Sequence, residues 1–204
     1  MLERFRAFFT KVISPIARLL LRLGVSPDAV TLVGTLGVCA GALVFFPQGM
    51  LLTGCLVITA FVFSDLIDGH MARSSGRVSK FGAFWDSTLD RIGDGAIFIG
   101  LALYFAWEEP SRLYLVLSLV CLLMGAVTSY ARSRGETLGF DVKVGIAERA
   151  DRLVTILVLT GFSAIFDQPW LLHLALWALA VASTITVGQR VWTVRRQAVA
   201  ETTL

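Results

Sequence analysis

The stretch DLIDGHMARSSGRVSKFGAFWDSTLDRIGD, from Asp65 to Asp94, decides how this chain has to fold. It sets five acids, Asp65, Asp68, Asp86, Asp90 and Asp94, between strongly apolar segments. Upstream, 36 residues separate Asp28 from Asp65 without a charge, and downstream Gly95 to Trp107 is charge-free as well. At about 1.5 Å per residue, one helix over the upstream segment would far exceed the ~30 Å hydrocarbon core of a bilayer. The break at Pro47-Gln48-Gly49 instead divides it into two spans, 28–46 and 51–74.

Working outward, the same pattern recurs. A third helix is expected from Lys80 to Trp107 and a fourth from Arg112 to Arg132, where 19 charge-free residues lie between the two arginines. A fifth has its apolar part at Leu153–Phe166 and a start near Ile146, and a sixth runs from Gln168 to Gln189. Over the 204 residues 56% are hydrophobic and 16% charged, against ~25% charged in soluble domains, which excludes an ordinary soluble globule. A net charge of +3 is too small to argue for a nucleic-acid partner, and Cys39, Cys55 and Cys121, each in an apolar run, have neither disulfide nor metal spacing.

Basic residues cluster before span 1 and between spans 2 and 3, 4 and 5, and after span 6, whereas Arg112 stands alone on the other side. The positive-inside bias then puts both termini in the cytoplasm. Before span 1, Phe5, Phe8, Phe9, Ile13 and Ile16 alternate with Arg4, Arg6, Lys11 and Arg18, the pattern of a helix lying in the membrane interface. The expected fold is an all-α integral membrane protein: an interfacial amphipathic helix at 1–24, six transmembrane helices over 25–198, and a frayed tail at 199–204.

Acids at membrane depth are costly and face a polar cavity or a partner. Asp65 and Asp68 share one face of span 2, and Asp86, Asp90 and Asp94 succeed one another at four-residue spacing on one face of span 3. Like charges so spaced repel unless cations hold them, and hard carboxylate oxygens suit Mg²⁺, Mn²⁺ or Ca²⁺, two facing pairs having room for two ions. The plainer alternative is helix-end ion pairing with Arg73, Arg77, Lys80 and Arg91. A divalent-cation transporter is a third reading, disfavoured because the outer half of the spans offers no second polar set.

The spacing Asp65-x2-Asp68-Gly69-x2-Ala72-Arg73-x8-Gly82-x3-Asp86-x3-Asp90 matches the signature of the CDP-alcohol phosphatidyltransferase family, which the chain thus resembles. Members of that family move a phosphatidyl group from a CDP-linked lipid to an alcohol and release CMP. The resemblance implies that Asp65, Asp68, Asp86 and Asp90 ligate Mg²⁺ or Mn²⁺, two ions in all, and that Asp90 is also the general base. It further implies that CDP-diacylglycerol is held by Gly69, Ala72, Arg73, Ser79 and Gly82, and by Asp28, Ala29, Val30 and Thr31 of the pre-helix Ser26-Pro27-Asp28 segment. A homodimer in the plasma membrane, with its site facing the cytoplasm, belongs to the same resemblance. Asp94 falls outside the signature and is expected to be a supporting acid paired with a basic residue.

Arginines at the cytoplasmic ends of spans 4 to 6 suit a phosphate-bearing acceptor, because guanidinium groups bind phosphate through paired hydrogen bonds. Ser129-Tyr130-x-Arg132-x-Arg134, Glu148-Arg149-x2-Arg152 and Ala182-Ser183-x-Ile185-Thr186-x2-Gln189-Arg190 resemble segments of actinobacterial phosphatidylinositol phosphate synthases. This implies an inositol phosphate acceptor held by Ser129, Arg132, Arg149, Arg152 and Arg190. Glycerol 3-phosphate is the rival acceptor.

Overall fold

The computed structural model describes residues 14–76 and 79–202, with Asp65 and Thr202 described by their backbone alone. Most of the expected interfacial helix, 1–13, lies outside the described residues, as do Arg77 and the last two positions. Helix α1 covers 14–22. It is followed by α2 (Pro27–Ala40), α3 (Leu51–Val62), α4 (Ser64–Ser75), α5 (Lys80–Trp107), α6 (Arg112–Thr137), α7 (Arg149–Phe166) and α8 (Trp170–Thr202). No strand occurs among the described residues.

Local chemistry sets most boundaries. Ser26 caps α2, its Oγ accepting from the Ala29 N–H at 3.2 Å, and Pro27 fills the first turn where no N–H is needed. The helix loosens into a π turn at Gly41–Phe45 and a 3₁₀ turn at Phe46–Gln48, and ends on Gly49 with φ +73°. Ser79 and Ser111 cap α5 and α6 in the same way as Ser26.

Three boundaries differ from expectation. Span 2 is interrupted at Phe63, so α3 and α4 meet just before the first motif acid. Helix α7 begins at Arg149 rather than near Ile146, because the N–H groups of Ile146 and Ala147 both donate to Thr186 Oγ1 (3.2 Å each) and Glu148 and Asp151 form a reciprocal capping box. In place of a frayed tail, α8 stays helical to Thr202; Gln197 anchors it by bonding both backbone groups of Asp141, at 3.0 and 2.8 Å.

Among the described residues, four helical segments are long and apolar enough to cross a membrane: Pro27–Gln48, Leu51–Ser75, Arg112–Thr137 and Trp170–Glu201. The helices close into a ring in which α2 packs on α5, α5 on α6, α6 on α8, α8 on α7, α7 on α3 and α3 on α2. At the end carrying Gln48 and Trp107 the ring is filled by Phe46, Ile58, Leu101, Phe105, Leu172 and Leu176, all essentially inaccessible.

Glycines allow the close approach of α2 to its neighbours. A Cβ on Gly34 would stand 1.8 Å from Ser64 Oγ, one on Gly37 2.2 Å from the Phe61 ring, and one on Gly41 2.8 Å from Ile58. The small-residue stripe on span 1 therefore serves packing within the chain. Gly100 is tighter in kind, since its Cβ would meet the backbone oxygen of Ala42 at 2.4 Å, an atom that cannot rotate away. Gly100→Ala is expected to lower the thermal midpoint of the purified protein, the overpacking cost of ~1–3 kcal/mol exceeding the ~1 kcal/mol gained in helix propensity. Gly188→Ala, where a Cβ meets nothing within 4 Å, should hold or raise that midpoint. Equal midpoints for the two variants would contradict this packing.

Candidate active site

The end opposite the plug is open. A cleft of about 1210 Å³ is walled by α3 to α8 and is lined by Asp90 together with Ser129, Arg132, Arg149, Arg152 and Arg190. All five acceptor candidates thus share one cavity with the candidate base, although they come from three helices up to about 60 residues apart in sequence. Apolar side chains, among them Phe63, Leu66 and Phe84, line the same cleft.

The arginines differ in how they are held. Arg149 reaches across to α5, with NH2 2.8 Å from Asp90 Oδ1 and Nε 3.1 Å from Asp94 Oδ1. Arg152 is 4% exposed; NH1 donates to the Ala147 carbonyl at 3.2 Å, while NH2 is buried without a hydrogen-bond partner. Arg190, 3% exposed, donates from Nε to Val144 O (2.9 Å) and from NH1 to Thr128 O, so it also straps the loop before α7 to α6 and α8. Arg132 pairs with Glu136 at 3.0 Å, and the Ser129 hydroxyl donates to Gly125 O at 3.2 Å. Orphaned or partly used guanidinium groups deep in a cavity are costly unless an anion completes them.

A second group of candidates gathers where α2, α4 and α5 meet. Thr31, itself buried, donates to Asp68 Oδ2 at 2.6 Å, and Asp68 is 7% exposed. Trp85 Nε1 donates to the carbonyl of Asp28 at 3.2 Å, fixing the start of α2 against the start of α5. Ser79 Oγ accepts from the Gly82 N–H at 2.9 Å, and a Cβ on Gly82 would approach both Ser79 Oγ (3.2 Å) and Asp28 Oδ1 (3.5 Å). Ala29 and Val30 are half-buried in the first turn of α2. On α4 the Arg73 guanidinium folds back over Gly69, where a Cβ would stand 3.3 Å from NH1, and Ala72 lies on the same helix. A hydrogen bond between Ser14 Oγ and His70 Nε2, 3.1 Å, ties α1 to this helix.

The acids divide unevenly. Asp86 is exposed near the start of α5, Asp90 and Asp94 are largely buried at 16% side-chain exposure, and Asp65 lies on α4 with its side chain outside the described residues. Arg91 approaches both Asp90 and Asp94 at 3.7 Å, so the helix-end pairing that the sequence allowed is realised for these two acids. Among the described residues no three potential ligands lie close enough to hold an ion. The donor chemistry nevertheless fits a hard divalent cation: the motif offers carboxylate oxygens alone, on two helices that flank one opening.

Thr128, Ala147 and Gln197 stand in no motif, and Thr186 stands in one only as part of the segment that leads to Arg190; none of them signals a supporting role in the sequence, because each acts through backbone groups, its own or those of a distant segment. Trp85 is the exception with a faint signal, an indole beside a motif acid at an interface.

Known proteins resemble this chain along most of its length. The CDP-alcohol phosphatidyltransferase family model matches residues 24–187. Phosphatidylinositol phosphate synthase of Streptomyces avermitilis is 54% identical over 204 residues, covering 97% of this chain and 84% of that protein. The crystal structure of Mycobacterium tuberculosis phosphatidylinositol phosphate synthase with CDP-DAG bound superposes with a TM-score of 0.87 at 43% identity, over 90% of this chain and 94% of that one. Its complex with manganese and citrate gives 0.86 at 43% identity, over 89% and 88%. With its signature aspartates, its arginine-lined cleft and this similarity along nearly its whole length, the chain belongs to the CDP-alcohol phosphatidyltransferase family of transferases.

Proposed function

We propose that this protein transfers the phosphatidyl group of CDP-diacylglycerol to an inositol phosphate, giving phosphatidylinositol phosphate and CMP. The observation that carries the acceptor is the convergence of Arg149, Arg152 and Arg190 on the cleft of Asp90, with the buried NH2 of Arg152 lacking a hydrogen bond. The relatives' shared name, and the CDP-DAG and manganese of the mycobacterial structures, support donor, acceptor and metal class.

In this reading the signature acids Asp65, Asp68, Asp86 and Asp90 would hold Mg²⁺ or Mn²⁺, as two ions, whose charge would neutralise the diphosphate and favour CMP as a leaving group. Thr31 orients Asp68 through its hydroxyl. Arg73 contacts the diphosphate, and the small residues Gly69, Ala72 and Gly82, with Ser79 and the segment Asp28 to Thr31, accommodate the nucleotide. Ser129, Arg132, Arg149, Arg152 and Arg190 bind the acceptor's phosphate and set one ring hydroxyl in line with the lipid-side phosphorus. Asp90 takes the proton of that hydroxyl as the new P–O bond forms, and the bond to CMP breaks with its electron pair leaving on CMP. The apolar lining at Phe63, Leu66 and Phe84 meets the acyl chains, which enter from the leaflet.

The topology of the reading has six spans, α5 and α7 joining the four strongly apolar segments, with both termini and the site on the cytoplasmic face of the plasma membrane. Its support is the clustering of basic residues at the cleft end, Arg112 alone standing opposite. A homodimer would use surfaces other than the glycine stripe of α2, which is occupied within the chain.

Purified protein given CDP-diacylglycerol, Mg²⁺ and inositol phosphate is expected to release CMP, to stop on chelation and to resume when Mg²⁺ or Mn²⁺ is restored. CMP release that ignores the acceptor or survives chelation would defeat the proposal.

A further inference from the structure

Asp94 belongs to no motif, yet it sits among three guanidinium groups. Its Oδ1 accepts from Arg149 Nε at 3.1 Å, and its Oδ2 lies 3.7 Å from Arg91 NH2 and 3.9 Å from Arg152 NH2. Arg149 and Arg152 come from α7, which is not a neighbour of α5 in the ring, so this carboxylate, which does not itself line the cleft, ties two non-adjacent helices together behind it. Arg149 also reaches Asp90, one helical turn away, with NH2 2.8 Å from Oδ1. Gly125 on α6 packs beside the same guanidinium of Arg152, where a Cβ would be in ordinary contact with Arg152 Nε at 3.6 Å.

Two physical roles are open to such an acid, and they predict opposite signs. If Asp94 merely dilutes the positive charge of the cavity, removing it strengthens phosphate binding. If it fixes the plane of Arg149 and the approach of Arg152, removing it lets both side chains relax and weakens that binding. The Nε hydrogen bond favours the second role, because a bond through Nε orients the whole guanidinium fork.

We infer that Asp94 is a positioning residue for the acceptor. It holds Arg149 and Arg152 so that the phosphate they grip is brought beside Asp90. The inference rests on the acceptor reading proposed above.

The test compares the full-length wild type with Asp94→Asn and Asp94→Glu, measuring KM for inositol phosphate, KM for CDP-diacylglycerol, the thermal midpoint, and the inhibition constant of inorganic phosphate competing with the acceptor. For Asp94→Asn the acceptor KM and the phosphate inhibition constant should rise together, about tenfold, as expected for losing one charge-assisted orienting bond. The CDP-diacylglycerol KM should stay unchanged. Asp94→Glu, which keeps the charge but lengthens the arm, should show the same split to a smaller degree, and it alone decides the matter if the Asn variant does not fold. Unchanged or tighter phosphate binding, or a rise in both KM values together with a lower midpoint, overturns the inference. Failure of the wild type to use inositol phosphate, or to be inhibited by phosphate, refutes the acceptor reading instead.

Discussion

Asp90→Asn is expected to reduce CMP release by about 10³-fold or more, the scale on which a general base contributes. The amide has nearly the shape of the carboxylate, so the fold of α5 should persist: its neighbours Leu89 and Gly93 are buried regardless of the charge at position 90. What the variant loses is the capacity to accept the acceptor's proton, along with the full strength of the contact to Arg149, now 2.8 Å away. A thermal midpoint close to wild type together with near-normal CMP release would remove Asp90 as the base. Raising the Mg²⁺ concentration separates its two proposed roles, because a weakened ligand recovers with excess ion whereas a missing base does not. Full recovery would leave Asp90 as a ligand alone.

Arg152→Gln is the second large effect. Arg152 is 4% exposed, and its NH2 is buried without a hydrogen bond. A phosphate oxygen completing that group forms a charge-assisted hydrogen bond worth ~1.5–3 kcal/mol. Losing it raises the acceptor KM by about ten- to a hundredfold. Because Arg152 lies in the cleft with the acceptor candidates rather than where α2, α4 and α5 meet, the KM for CDP-diacylglycerol should hardly move. Arg152→Lys, which keeps the charge but not the fork, should fall between wild type and Gln. An unchanged acceptor KM in the Gln variant would mean that this guanidinium serves only within the chain, on the Ala147 carbonyl and beside Asp94.

Much of this was legible in the sequence, for reasons that can be named. The caps at Ser26, Ser79 and Ser111 and the break at Pro47 to Gly49 are local chemistry, so the starts of α2, α5 and α6 follow from short windows. The interruption at Phe63 has no such signature; neither glycine nor proline is there. The start of α7 was misplaced because it depends on Thr186, about 40 residues later, which captures two backbone N–H groups and delays the helix. The same long-range dependence hid Arg190's second task, since its bonds go to carbonyl oxygens, which every residue has.

Hydropathy was least informative where the chemistry is richest. Helices α5 and α7 are absent from the four strongly apolar segments, and these two carry Asp86, Asp90, Asp94, Arg149 and Arg152. Among the charges that blur them as membrane helices, Asp90, Arg149 and Arg152 are what α5 and α7 present to each other at the cleft. The motif acids could be placed on shared helix faces from spacing alone, whereas the grip of α7 on α5 through Arg149 required the closed ring.

The proposed function requires the cleft to select a phosphate-bearing inositol as acceptor. Its most direct test supplies CDP-diacylglycerol and Mg²⁺ with equal concentrations of inositol phosphate and glycerol 3-phosphate in one vessel, and identifies the lipid products by mass spectrometry alongside released CMP. Phosphatidylinositol phosphate is expected as the dominant lipid, formed one for one with CMP. Phosphatidylglycerol phosphate in equal or greater amount would contradict it.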